Sequence, residues 1–165
     1  LAFGIQHFAN FPSLNIKFSF VHLLMFSLFL MTVLFLLSFL ILKNDNFLSR
    51  FSFENYDERM FFIGTIVCVT TYLLQNNFIY REIFIFLTLP FLFKTSTKSI
   101  YAKILISVLT VKFLLFPTTF YYSMSYNAET LNIIKSIIDN LIMSMMLAIL
   151  VGILLKTFKG NQIFR

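Results

Sequence analysis

From Phe18 to Leu42 the chain carries no Asp, Glu, Lys or Arg, a run of 25 residues. As an α-helix rising ~1.5 Å per residue, that run is long enough to cross the ~30 Å hydrocarbon core of a bilayer with some tilt. Lipid as the solvent then constrains everything else, because each backbone N–H and C=O inside it must be paired within a helix or a closed barrel. The remaining apolar runs are continuous and do not alternate with polar residues, which excludes a barrel. Hydrophobic residues make up 59% of the 165 and charged residues 12%, a balance outside that of soluble domains.

The expected fold is therefore all-α: a polytopic transmembrane helix bundle of about five membrane segments, near 18–42, 60–74, 78–93, 100–116 and 133–158, in a single transmembrane domain over 1–165. The first segment ends at Lys43-Asn44-Asp45-Asn46, and the charged stretch after it, to Arg59, belongs in water or headgroups. Met60 to Phe93 is too long and too polar at its middle for one helix. Gln75-Asn76-Asn77 and Tyr80-Arg81-Glu82 would then lie deep in hydrocarbon, at ~2.5 kcal/mol or more per ion. Two short helices turning at the Asn pair avoid most of that cost. The fourth run carries Lys103 and Lys112 near its ends and is expected to stop at Pro117, followed by a polar loop holding Tyr121, Tyr122 and Tyr126. The fifth places Asp139 in its first turns and Lys156 and Lys159 at its end.

Orientation follows from the basic residues. With alternating segments, one side receives Lys43, Arg50, Arg59, Lys94, Lys98, Lys103, Lys156, Lys159 and Arg165, and the other Lys17, Arg81 and Lys135. The richer side is assigned to the cytoplasm, which puts the N-terminus outside and the C-terminus inside. The same count is compatible with a 60–93 pair that crosses fully or one that dips in and returns. The net charge of +6 is accounted for by residues flanking apolar runs, so nucleic acid is not an expected partner and membrane lipids are. Leu1 to Lys17 lacks the basic start, apolar centre and cleavage site of a signal peptide, so a preceding span in a longer chain is expected.

Polar groups within or beside the segments collect toward the outer face: His22, Gln75, Asn76, Asn77, Arg81, Glu82, Lys112 and Asp139. Ionisable groups at membrane depth usually face a bundle interior or a watery cavity. Each also has a plainer explanation. Lys112 suits a snorkelling residue at a helix end, Asp139 a helix start near headgroups, and His22 a packing residue. Cys68, the one cysteine, fits a packed core thiol, and no cluster at metal-ligand spacing accompanies it, so neither metal nor cofactor is expected. Arg81 and Glu82 are adjacent and point ~100° apart on a helix. Arg81 therefore needs another counter-ion, and a lipid phosphate, which guanidinium binds bidentately, is a natural one. No nucleotide loop, Ser/His/Asp set or zinc-protease motif occurs.

The string Gln75-Asn76-Asn77-Phe78-Ile79-Tyr80-Arg81, continuing to an apolar helix with Pro90 and preceded one helix earlier by Gly64, resembles a pattern of bacterial polytopic membrane proteins. It is similar to the family 87 and related polyprenol-phosphate-dependent glycosyltransferases of the GT-C type. The resemblance covers Met60 to Phe93 and the two runs after it. It implies a bundle in the bacterial inner membrane with an outward-facing site, where a polyprenol-phosphate sugar meets an acceptor during cell-envelope glycan synthesis. Arg81 would bind the lipid phosphate, with Asn76, Asn77 and Tyr80 shaping the turn. The acidic catalytic residue of such enzymes belongs to an early outer loop that has no counterpart in this sequence, so the catalytic residues are unassigned. The competing expectation is a non-catalytic polytopic component, a transporter or assembly subunit, whose broken hairpin would line a substrate path.

Overall fold

The computed structural model describes residues 20–73, 78–122 and 128–163, with side chains over 25–26, 28–72, 83–115 and 134–158. Among them the chain is all-α, with five helices: α1 Phe20–Lys43, α2 Tyr56–Leu73, α3 Phe78–Ser96, α4 Ile100–Tyr122 and α5 Ala128–Ile163. A 3-10 turn, Leu48–Arg50, lies between α1 and α2.

Local chemistry sets the helix boundaries that can be seen. Asn55 caps α2: its carbonyl accepts the first helical bond, from Arg59 N–H at 3.2 Å, and Asp57 and Glu58 in the first turn suit the positive end of the helix dipole. Ser99 caps α4, its hydroxyl accepting from Ala102 N–H at 3.0 Å. Lys43 and Lys94 stand in the last turns of α1 and α3, where a cation meets the unpaired carbonyls.

The chain reverses between Leu73 and Phe78, and α2 and α3 pack antiparallel along their length. Asp57 lies 3.9 Å from Lys94 at one end of this pair, and Phe61 meets Phe91 with ring centroids 4.9 Å apart further along. At Gly64 a Cβ would sit 2.9 Å from the Phe84 carbonyl oxygen, so glycine is what lets these backbones approach. Helix α5 is the axis of the bundle. It packs on α1, α2 and α4 and on the 3-10 turn, while α3 fills the space between α2 and α4. Where α4 meets α5, the buried Tyr101 hydroxyl donates to the Met145 carbonyl at 2.8 Å.

Three expectations from the sequence change. Helix α4 does not stop at Pro117 but runs to Tyr122, so Tyr121 and Tyr122 belong to its backbone. Proline removes one N–H and crowds the preceding turn, which bends a helix without ending it when the other bonds persist; α3 likewise contains Pro90. Helix α5 begins at Ala128, so Asp139 lies about three turns inside it. The charged stretch after α1 is only partly an aqueous loop, because Phe47 and Phe51 turn back into the bundle and are buried. Of the about five membrane segments expected, one helix among the described residues, over Ile134–Phe158, is long and apolar enough to cross a membrane. Leu28–Lys43 and Ile83–Ser96 are shorter apolar helices.

Polar side chains enter the apolar core, and large apolar side chains cover the exterior. Ser38, Thr65, Thr88, Thr95, Ser136, Asn140 and Ser144 are buried, while large apolar side chains face outward on every helix. Leu28, Phe29, Leu36, Leu37 and Leu40 of α1 are each more than half exposed, as are Ile83, Phe86 and Phe93 of α3 and Leu114 of α4. The buried threonines spend their hydroxyls on their own helices, Thr65 donating to Phe61 O at 2.7 Å and Thr88 to Ile85 O at 2.6 Å.

Candidate functional site

Two groups of polar side chains tie the helices together, one in the interior and one at the end bearing the α1–α2 connection. The interior group is built where α2, α3, α4 and α5 meet. Lys112 of α4 reaches Asp139 of α5, Nζ to Oδ1 at 2.9 Å, with their side chains 10% and 12% exposed. Asp139 Oδ1 takes no hydrogen bond from any described group besides this ionic contact. Beside it, Tyr72 in the last turn of α2 donates its hydroxyl to Asn140 Oδ1 in a short hydrogen bond. Tyr72, Ile85, Lys112, Asp139, Ile142 and Met143 enclose a cavity of about 10 Å³. That is close to the volume one water needs, and far below what a sugar or a phosphate ester occupies.

Burial of both charges departs from the snorkelling lysine and headgroup aspartate of the sequence reading. Helix α5 extends well beyond Asp139 on its N-terminal side, which carries the carboxylate into the bundle at the level of Lys112. An isolated charge there is expensive, and mutual neutralisation is what makes the burial tolerable.

The predicted phosphate-binding residues are Asn76, Asn77, Tyr80 and Arg81. Asn76 and Asn77, with Gln75, lie outside the described residues. Tyr80 and Arg81 belong to the first turn of α3, and their side chains lie outside the described ones. Position 81 is one turn ahead of Ile85, which lines the interior cavity. The side chain of His22 in α1 is also outside the described set, and Cys68 is buried. Among the described residues, no three His, Cys, Asp or Glu side chains come close enough to hold a metal ion.

The second group was not anticipated. Asp45, just past α1, accepts from the Ser99 hydroxyl in a short bond and from Ile100 N–H at 3.2 Å, capping α4 from a different segment. Lys156 of α5 donates to the carbonyls of Leu48 and Phe51, at 2.9 and 2.7 Å, closing the 3-10 turn. Glu58 accepts from Ser52 N–H at 3.0 Å, the Ser52 hydroxyl at 2.9 Å and Asn55 Nδ2 at 2.7 Å. Burial pushes the Glu58 carboxyl up, but the Asn55, Ser52 and Phe53 hydrogen bonds together outweigh it and hold the group below the ordinary 4.5. Between these anchors Phe53 adopts φ 65°, a left-handed conformation costly for a bulky residue. Its ring is held edge-on against Phe51 and Phe62, at 4.6 and 5.1 Å. A cap signature was readable at Ser99, just ahead of an apolar run, and at Asn55-x-x-Glu58; the cross-chain partners Asp45 and Lys156 had no local signal.

No family model, curated protein or solved structure matches the chain.

Proposed function

We propose that this chain is the membrane-embedded part of a polytopic helical protein, oriented with its N-terminus outside and its C-terminus in the cytoplasm of a bacterial inner membrane, and that it handles a lipid-phosphate-linked sugar as part of a glycosyltransferase-like protein. The observation that carries the membrane reading is the apolar exterior. Leu, Phe and Ile cover the exterior, around an apolar core that also holds hydroxyls, an amide and an ion pair. In water such an exterior would be a very large apolar patch; in hydrocarbon it is the expected surface. The long apolar stretch Ile134–Phe158, 56% buried in the bundle, fits a helix with one side on protein and the other on lipid.

The lipid-phosphate reading is supported by the residue pattern Asn76-Asn77-Phe78-Ile79-Tyr80-Arg81 at the reversal between α2 and α3. A guanidinium at that turn would neutralise charge developing on a leaving phosphate. The test is Arg81→Ala in the full-length protein: glycan transfer is lost while membrane insertion is retained. Unchanged transfer would remove Arg81 from the reaction.

A non-catalytic assembly or transport component is favoured by a different observation. The cavity beside the Lys112–Asp139 pair is the size of one water, and Lys112 and Asp139 neutralise each other. This reading predicts that Arg81→Ala is silent and that Asn77→Leu, which disturbs the turn, abolishes uptake, efflux or complex assembly.

A further inference from the structure

The end of the bundle carrying the α1–α2 and α3–α4 connections holds both signs of charge, but the two are not equally available. Of its carboxylates, Asp45 caps α4, Glu58 is 4% exposed and holds Ser52 and Asn55, Asp57 lies within 3.9 Å of Lys94, and Glu54 is exposed. Lys156 turns its ammonium inward onto two carbonyls. Lys43, Arg50, Arg59, Lys98 and Lys103 are exposed. They belong to one level of the molecule, because Asp45 joins the end of α1 to Ser99 and Lys156 joins α5 to the turn that ends at Arg50.

Aromatic side chains share this level. Tyr56 is 65% exposed, Phe93 57% and Phe53 38%. Exposed aromatic rings beside arginine and lysine, next to an apolar belt, match the layer where acyl chains meet headgroups.

We propose that this end is a docking surface for anionic phospholipid headgroups, with Arg50 and Arg59 as its principal phosphate contacts and Phe53 and Tyr56 inserted at the acyl boundary. Bidentate guanidinium contacts suit a phosphodiester, and capping has drawn Asp45 and Glu58 inward, which leaves Glu54 as an exposed carboxylate among the exposed cations Lys43, Arg50, Arg59, Lys98 and Lys103. A nucleic acid would use the cations but leave the neighbouring apolar belt uncovered, so the lipid is the better complement. The proposal rests on the membrane reading above and is independent of Arg81, which lies at the opposite end of α3 from Lys94.

The experiment is native mass spectrometry of the full chain released from nanodiscs of mixed phosphatidylcholine and phosphatidylglycerol, comparing wild type, R50Q/R59Q and, at the other end, K135Q. Wild type retains phosphatidylglycerol preferentially. The double variant lowers that preference on the order of twentyfold, at about fivefold per cation, and K135Q leaves it unchanged. Preference in the wild type also falls as salt is raised, a measurement that stands even if the double variant fails to fold. Equal retention of the two lipids, or equal loss in K135Q, overturns the proposal. Salt-sensitive binding of single-stranded RNA through Arg50 and Arg59, without lipid preference, would overturn it in favour of another partner. Failure of the chain to enter nanodiscs at all would instead refute the membrane reading.

Discussion

At the scale of single residues, two positions decide more than their size implies. Gly64 sits where α2 and α3 touch, and an added methyl group would meet the Phe84 carbonyl oxygen at 2.9 Å, an atom fixed by its helix. Gly64→Ala is expected to cost about 1–3 kcal/mol, read as a fall in the thermal unfolding midpoint of detergent-solubilised protein. Gly152→Ala is milder, since its nearest neighbour, at 2.8 Å, is the movable end of the Leu48 side chain. The second position is the Lys112–Asp139 pair. Lys112→Met alone leaves a buried carboxylate without its cation and should cost about 3–5 kcal/mol. The double variant Lys112→Met, Asp139→Leu should recover most of that loss in the same unfolding measurement; no recovery would mean the charges serve something other than each other.

Among the elements, the α1–α2 connection acts as a clasp and not as a passive loop. Phe47 is fully buried between the rings of Phe61, Phe91 and Tyr101, with centroids 5.6–5.7 Å away. Phe47→Ala is expected to cost about 3–5 kcal/mol and to loosen α4 along with α2, seen as faster amide exchange in both helices. Glu58 gives the clasp a pH dependence. Its native pKa lies below 4.5, so its contribution is complete above that value and is lost as the pH falls through the lowered native one. Unfolding midpoints should therefore decline on acidification below 4.5, and Glu58→Gln should flatten that decline. The reversal between α2 and α3 was foreshadowed by Gln75-Asn76-Asn77, since three carboxamides in an apolar run are costly anywhere but at a turn.

Over the whole molecule, sidedness is the property that labelling measures most directly. With Cys68 buried and inert, Glu54→Cys should react with a membrane-impermeant maleimide only once the cytoplasmic face is opened; reaction in intact cells would invert the proposed orientation. Runs of apolar residues and the sparse charges between them were enough to specify an all-helical chain, because hydrogen bonding within each helix is local and its solvent is written in composition. Helix ends were less legible: Pro117 and the first polar residues of α5 read as boundaries, yet both helices continue through them where the rest of the backbone ladder stays intact. Which charges would meet was not legible at all. Lys112 and Asp139 are 27 positions apart, Asp45 and Ser99 are 54, and Lys156 and Leu48 are 108. Each alone looked like a lone charge seeking water. Only the packing of α4, α5 and the α1–α2 clasp around one another brought them together, since an ion pair or a borrowed cap depends on distance in space and leaves no periodic trace along the chain.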